Sequence, residues 1–352
     1  MRFAAEGSGE ILSQIFVIIS SRTVLLLAQV LIGVILSATL ARAMRGVFAG
    51  AGSEGLQQKP IVEAIIGLTG KAATSVNVLY IGTATYDLAG PRENQTKLLK
   101  ELGCSITDLV CKPDMPTAEL ESLVSAADVL LVSGGNTLYA MDMFTKVGLN
   151  SVIHKAGAEK VLAGGSAGAI CWFDAGHSDS GDPDSFKESM LAEAATGPAK
   201  KDESTTLEEG QQAKEWKYLR VGCLGLLPGL VCPHADKVQS NGVLRMTDFE
   251  GMMLRHPGER GITIDHFAAL VIDGDQYRVI SLEGKPGSVL DTETFSPTRE
   301  GKPGCWTKDV VEGKVKTALV PTEGSLASLV RKATEMTDDP GLAVVRSSNP
   351  AV

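Results

Sequence analysis

Twice in this chain a short, uniformly apolar run stops at paired glycines, and that pattern limits the fold more than any other feature. Asp128-Val129-Leu130-Leu131-Val132 ends in Ser133-Gly134-Gly135-Asn136, and Val161-Leu162-Ala163 runs into Gly164-Gly165-Ser166-Ala167-Gly168. A strand with no polar alternation must be covered on both faces, the condition of a central strand in a parallel sheet. Parallel neighbours need crossover connections, usually helices. Helical spacing appears near Pro60 to Leu68, over Arg92 to Leu102 with Gly103 as its C-cap, over Thr117 to Ala126, and over Thr137 to Lys146 and Ser151 to Lys160. Strand-like runs at 47–49, 77–81 and 105–111 alternate with these helices. The chain therefore reads as α/β, a mostly parallel sheet with helices on both faces.

Composition narrows the function classes. With 44% hydrophobic residues, 21% charged residues and 38 glycines in 352 residues, the chain is neither a disordered acidic segment nor a coiled coil. A formal charge of -9, with no basic stripe interleaved with aromatics, excludes a nucleic-acid partner. Cys104, Cys111, Cys171, Cys223, Cys232 and Cys305 form no C-x-x-C pair and no Cys/His ligand spacing, so neither zinc nor a disulfide scaffold is expected. No cofactor and no metal is expected.

The amino terminus differs from the rest. Val24 to Ala41 runs 18 residues without a charge between Arg22 and Arg42. As a helix it would rise about 27 Å, near the thickness of a bilayer core. The small residues around Ala41-Arg42-Ala43 equally fit a cleavage site, so a membrane anchor and a cleaved signal peptide are both open, and localisation with them. The expected organisation is a hydrophobic leader over 1–45, an α/β domain over 46–284 with a polar insertion near 179–215, and an extension over 285–352 that ends in a loose tail from Asp338.

The chemistry sits at the second glycine pair. Gly164-Gly165-Ser166-Ala167-Gly168 satisfies G-x-S-x-G between an apolar strand and a helix-compatible run, the setting of a nucleophile elbow. Small flanking residues permit the strained turn that lifts the Ser166 hydroxyl above the sheet edge, and the Ala167 N–H can face a developing oxyanion. A serine needs a base, and the histidines are His154, His177, His234, His256 and His266. His154 falls inside a helix and His256 in a turn. His234 follows a strand-like run and Pro233, at the carboxyl end of a strand, where open α/β sheets place their ligands. It is the candidate base.

Gly-Gly-Asn-Thr at Gly134 to Thr137, Gly-x-Ser-Ala-Gly-Ala at Gly164 to Ala169, and Leu-Leu-Pro-Gly with Pro-His over Leu226 to His234 resemble the aspartyl dipeptidase (peptidase E) and cyanophycinase family of serine peptidases. The resemblance runs from Val47 to Ser281. It implies a class I glutamine-amidotransferase-like fold with flavodoxin-like layers, no metal, and peptide hydrolysis through an acyl-serine intermediate on a small peptide substrate. It further implies Ser166 as nucleophile and His234 as general base, with the Gly135 N–H joining that of Ala167 as oxyanion hole. Asn136 in the same loop would shape the pocket or cap the helix from Thr137.

The sequence departs from the family at the third triad position. Where the family carries Gly-Ile-x-Ile-Asp-Glu, this chain has Gly261-Ile262-Thr263-Ile264-Asp265-His266, and a histidine brings no negative charge. Asp265 is the adjacent carboxylate, and Asp179, which aligns with another acidic position of the family, is its rival. Removal of an amino-terminal aspartate, as by peptidase E, needs a cation, for which Arg245 is the candidate. The alternatives are an α/β-hydrolase-type esterase built on the same Ser166, a catalytically inactive homologue, and a dinucleotide-binding protein read from the G-x-G-x-x-G at Gly50 to Gly55. The last lacks an acidic residue at the end of the next strand.

Overall fold

The structure, a computed structural model, describes residues 44–196, 212–290 and 297–350. The apolar stretch 24–41, expected as anchor or signal, lies outside the described residues. Among those described, no helix is long and apolar enough to cross a membrane.

In chain order the first five strands are β1 (Arg45–Ala49), β2 (Asn77–Ile81), β3 (Ser105–Leu109), β4 (Val129–Val132) and β5 (Val161–Gly165). They pair in parallel in the order β1-β5-β4-β2-β3. β6 (Phe173–Ser178), β7 (Leu219–Gly222), β8 (Leu227–Cys232) and β9 (Gly261–Ile264) begin a second sheet. The chain then returns to the first with β10 (Ala268–Asp273) and β11 (Gln276–Ser281), which lie antiparallel beside β1. After the β12 (Gly287–Leu290) and β13 (Pro297–Gly301) ribbon, β14 (Cys305–Val311) and β15 (Lys314–Leu319) extend the second sheet, and β16 (Glu323–Ser325) closes the edge of the first.

The first sheet is thus parallel from β3 to β1, and the second sheet is parallel from β6 through β8 to β9. Beyond β1 the first sheet's pairings are antiparallel; β10 and β11 form a hairpin around Gly274, at φ +65°, and a tight two-residue connection can only join antiparallel neighbours.

Both faces of the parallel half are covered, as its sequence requires. In β4, Leu130 and Val132 join one apolar cluster and Val129 and Leu131 the other, and β1 sends Phe48 one way and Val47 and Ala49 the other. Each of these side chains is fully buried, worth about 1.5–3 kcal/mol for a residue of Val or Leu size. The helix Lys59–Leu68 covers one face through Ile61, Val62, Ala64 and Ile65, with Pro60 in its first turn. The helix Thr137–Val147 covers the other; Asn136 caps it by accepting from the Tyr139 N–H at 3.0 Å, and Gly148, at φ +76°, ends it.

The region beyond 284 is not an appendage, since β14 pairs with β9 and β16 with β11. Nor is the stretch from Asp338 loose. It forms the helix Leu342–Ser348, held by Arg346 on Asp142 at 2.8 Å, by Asp339 accepting from the Arg220 N–H at 3.1 Å, and by Asn349 donating to the Tyr86 hydroxyl at 3.1 Å. Local polarity signalled a tail; partners more than a hundred residues away make it a strap.

Candidate active site

The end of β1 organises the site. Ser166 donates its N–H to the Ala49 carbonyl and His234 donates its N–H to the Gly50 carbonyl, each at 3.1 Å. The elbow serine and the candidate base therefore hang from adjacent residues of one strand. Gly50 N–H in turn donates to the Ala268 carbonyl at 2.9 Å, and a Cβ on Gly50 would sit 1.9 Å from the Asp265 carbonyl oxygen. Close packing of backbone on backbone accounts for this glycine without any cofactor. Both candidate residues sit at positive φ, Ser166 at +55° and His234 at +49°. Such conformations cost about 1–3 kcal/mol each and persist where the surroundings impose them.

The flanking glycines of the elbow have a steric reason. A Cβ on Gly165 would lie 2.0 Å from the Ala51 carbonyl oxygen, and one on Gly168 would lie 2.0 Å from that of Val132. Ala167 opens the helix Ala167–Ile170, so its N–H is a first-turn donor with no carbonyl a turn earlier. Across from it, Gly135 holds φ +118°, and a Cβ there would strike the Ala84 carbonyl oxygen at 2.3 Å. Gly134 N–H is spent on Gln95 Oε1 at 3.1 Å and Asn136 N–H on the Ala84 carbonyl at 2.8 Å. Between them the Gly135 N–H remains available. The Asn136 side chain caps its helix and donates to the Ser185 hydroxyl at 3.0 Å, which ties the loop at 183–185 over this edge.

His234 is 1% exposed. Its Nδ1 lies 2.7 Å from His266 Nδ1, while its Nε2 is buried with no hydrogen-bond partner among the described residues. His266 Nε2 pairs with a carboxylate oxygen of Glu54, and the His266 N–H donates to Asp236 Oδ1 at 2.7 Å. Burial, then the neighbouring His266, Arg245 and Lys237, hold the His234 imidazole well below the ordinary histidine range, so it is neutral at pH 7. A neutral imidazole with a free lone pair can accept a proton.

The other acidic candidates are engaged elsewhere. Asp265 is wholly buried: Oδ2 accepts from the Ser288 N–H at 2.9 Å and the Gly304 N–H at 3.0 Å, and Oδ1 from the Ser288 hydroxyl at 2.9 Å. It holds Ser288 and Gly304 and makes no hydrogen bond to His234 among the described residues, the contact that its expected role as triad acid requires. β9 ends at Ile264, and Asp265 and His266 lie past it in the turn that leads to β10. Asp179 Oδ2 accepts from Gln239 Nε2 at 2.8 Å and Arg245 Nη1 at 3.0 Å. Arg245 also donates to the His177 carbonyl at 2.6 Å and to Gln239 Oε1 at 3.1 Å. Both terminal nitrogens of Arg245 thus bond inside the protein, while its Nε is buried with no hydrogen-bond partner among the described residues. His177 stacks on Tyr218 and pairs with Asp248, His256 with Thr337, and His154 is exposed. Among the described residues no cluster of His, Cys, Asp and Glu could hold a metal ion.

Glu54 has no signal of its own in the sequence. It lies in the Gly50 to Gly55 turn, and only folding brings that turn to His266, 212 positions away.

The model of Peptidase family S51 matches residues 47–280. A protein named G2/mitotic-specific cyclin-1 from Trypanosoma brucei brucei is 30% identical over 334 residues, 88% of this chain and 94% of that protein. The uncharacterized peptidase YgaJ of Bacillus subtilis (strain 168) is 33% identical over 108 residues, 30% of this chain and 46% of that protein. Among solved structures, one described as a peptidase E protein from Listeria monocytogenes EGD-e is similar with a TM-score of 0.45 and 16% identity, over 68% of this chain and 99% of that chain. The family match takes in the elbow at Ser166, the Gly135 loop and His234 together, and on it the chain belongs to peptidase family S51, the family of peptidase E and cyanophycinase, and is a serine peptidase.

Proposed function

We propose that the chain is an exopeptidase that hydrolyses short peptides, with preference for an amino-terminal aspartate, through an acyl-serine intermediate. The observation that carries this is the buried, vacant His234 Nε2 hung beside the Ser166 elbow on the end of β1. As Ser166 Oγ bonds to the scissile carbonyl carbon, His234 Nε2 takes its proton and the carbonyl π pair moves onto oxygen, where the Gly135 and Ala167 amides meet it. The tetrahedral intermediate collapses as His234 returns that proton to the leaving amine and the C–N bond breaks. Water then repeats the sequence on the ester.

Short substrates suit a nucleophile only 3% exposed beneath a loop tied down by Asn136 and by the Tyr86 hydroxyl, which donates to the Ser185 carbonyl at 2.7 Å. For an aspartate side chain, Lys237 is the cation next to His234 in the same loop; its Nζ lies 5.3 Å from the Phe267 ring centroid. The glutamine-amidotransferase-like arrangement implied by the resemblance is part of the same proposal and is compatible with the parallel half of the first sheet. The name of the trypanosome relative finds no support in this site.

The test is hydrolysis of Asp-Leu, Glu-Leu and Ala-Leu by the full chain and its Ser166→Ala variant. Asp-selective cleavage that vanishes in the variant is expected. Cleavage of esters without any peptide would transfer the elbow to an esterase, and inertness toward both would make the chain an inactive homologue.

A further inference from the structure

The serine-peptidase reading leaves one chemical question. An imidazole that takes a proton from serine becomes a cation, and in the usual triad a carboxylate on its other nitrogen fixes the tautomer and stabilises the charge. Here that nitrogen, His234 Nδ1, faces a second imidazole at 2.7 Å. We propose that Glu54 is the acid of this site and acts through His266, so that nucleophile, base and acid are joined as Ser166, His234, His266 and Glu54.

The hydrogen-bond inventory fixes the proton positions. An ionised carboxylate only accepts, so His266 Nε2, paired with Glu54, carries its proton. A neutral His266 then has a lone pair on Nδ1. Two Nδ1 atoms 2.7 Å apart share one proton, which must therefore sit on His234. His234 Nε2 is left with a lone pair, and that atom is the buried one without a partner. Without the Glu54 charge, His266 could equally protonate Nδ1 and donate it to His234. His234 would then carry its proton on Nε2 and could not accept from Ser166. Glu54 and His266 are thus positioning residues: neither touches substrate, and together they set the tautomer of the base and stabilise its cation.

The rest of the geometry supports this. The His266 backbone N–H is held by Asp236, and its ring nitrogens meet His234 on one side and Glu54 on the other. Asp265, the nearest alternative carboxylate in sequence, has both oxygens engaged on Ser288 and Gly304. Glu54 leaves the short helix Ser53–Leu56 directly after β1, so acid, base and nucleophile are all positioned from the end of one strand.

The inference rests on the serine-peptidase reading, and the experiment separates the two. Phosphonylation of Ser166 by a fluorophosphonate, in which an Oγ–P bond forms as fluoride leaves, is followed in the full chain for wild type, Ser166→Ala, Glu54→Gln, His266→Glu and the double variant Glu54→Gln with His266→Glu. Glu54→Gln is expected to slow labelling by about 10- to 100-fold, less than loss of a directly bonded acid because a ring intervenes. His266→Glu places a carboxylate directly on His234, so in that background Glu54→Gln is expected to change the rate less than about twofold, the non-additivity of residues acting in one chain. An equal loss in both backgrounds, or none in either, overturns the relay. If wild type labels no better than Ser166→Ala, the peptidase reading fails first and takes the relay with it. Should His266→Glu not fold, 15N NMR of the histidines reads the tautomers: Nε2–H at His266 and Nδ1–H at His234 support the chain, and the reverse at either ring overturns it.

Discussion

Arg245 gives its Nη1 to Asp179 at 3.0 Å from a position where none of its surface reaches solvent. A guanidinium in that place is a structural ion, held also by Gln239 and the His177 carbonyl and lying 5.1 Å over the Tyr218 ring. Removing its charge partner strands a buried cation. Asp179→Asn is therefore expected to cost about 3–5 kcal/mol of stability. Arg245→Met leaves behind only a carboxylate that keeps 15% exposure and should cost less. Urea denaturation of both variants measures the difference, and the Asp-Leu to Ala-Leu turnover ratio of Arg245→Met should match wild type. A collapsed ratio in a folded Arg245→Met would return Arg245 to the substrate.

Ser166 stores strain that glycine would release. At φ +55° and ψ -123° its Cβ is held in a region that L residues avoid, and the glycines around it already have no room for a Cβ. Ser166→Gly is expected to stabilise the fold by about 1 kcal/mol while abolishing turnover, because glycine reaches this conformation without penalty. A thermal scan against wild type should show a rise of a few degrees. A lower melting temperature would mean that the hydroxyl makes a native interaction worth more than the strain.

What could be read from the sequence divides along a physical line. β4, β5 and the elbow were legible because each is specified by its own neighbours: Val129 to Val132 has no polar residue, and Gly165 and Gly168 leave only backbone around Ser166. The β10 and β11 hairpin is local in the same sense, since Asp273 pairs with Gln276 across Gly274-Asp275. The acid of the site was not. Glu54 reaches His266 across 212 positions, and no periodicity reports a contact of that separation. Asp265 was read from its adjacency in sequence to His266, whereas folding sets its carboxylate on Ser288 and Gly304. The helix Leu342–Ser348 was hidden in the same way, because Asp142, Arg220 and Tyr86, which fasten that segment, are supplied by distant elements.

Asp265→Asn separates an anchor from a catalytic acid. The amide keeps an oxygen for the Ser288 and Gly304 N–H groups and offers its NH2 to the Ser288 hydroxyl, which can accept. Turnover of Asp-Leu by this variant is expected to stay within a few-fold of wild type. The same change in a triad acid lowers turnover by about four orders of magnitude, so a loss of that size would restore Asp265 to the triad.

Asp265→Asn also exposes how the fold responds to acid. Burial, and less so the neighbouring Asp236, push the Asp265 carboxyl up to about 7, so the folded chain holds a proton there that an unfolded aspartate has lost. Its contribution is full below the unfolded value and disappears as pH rises through about 7. Two histidines act in the other direction. Burial takes His177 down to about 4, against the opposing Asp248 and Asp179 and together with Arg245. His234 is lowered still more clearly by burial and by His266, Arg245 and Lys237. The unfolded chain binds protons at these histidines first, so their contribution is full above about 6.5 and is lost as pH falls. Between about 6.5 and 4 the two slopes oppose each other in wild type. With the aspartate removed, stability in Asp265→Asn should fall more steeply across that window, as denaturant midpoints at successive pH values would show. The acid limb of peptide turnover should meanwhile lie well below 6.5, the ordinary histidine value, in both proteins, because His234 must be neutral to accept the Ser166 proton. A limb at the ordinary value would mean that water reaches His234 and that its vacant nitrogen is not held in a dry site.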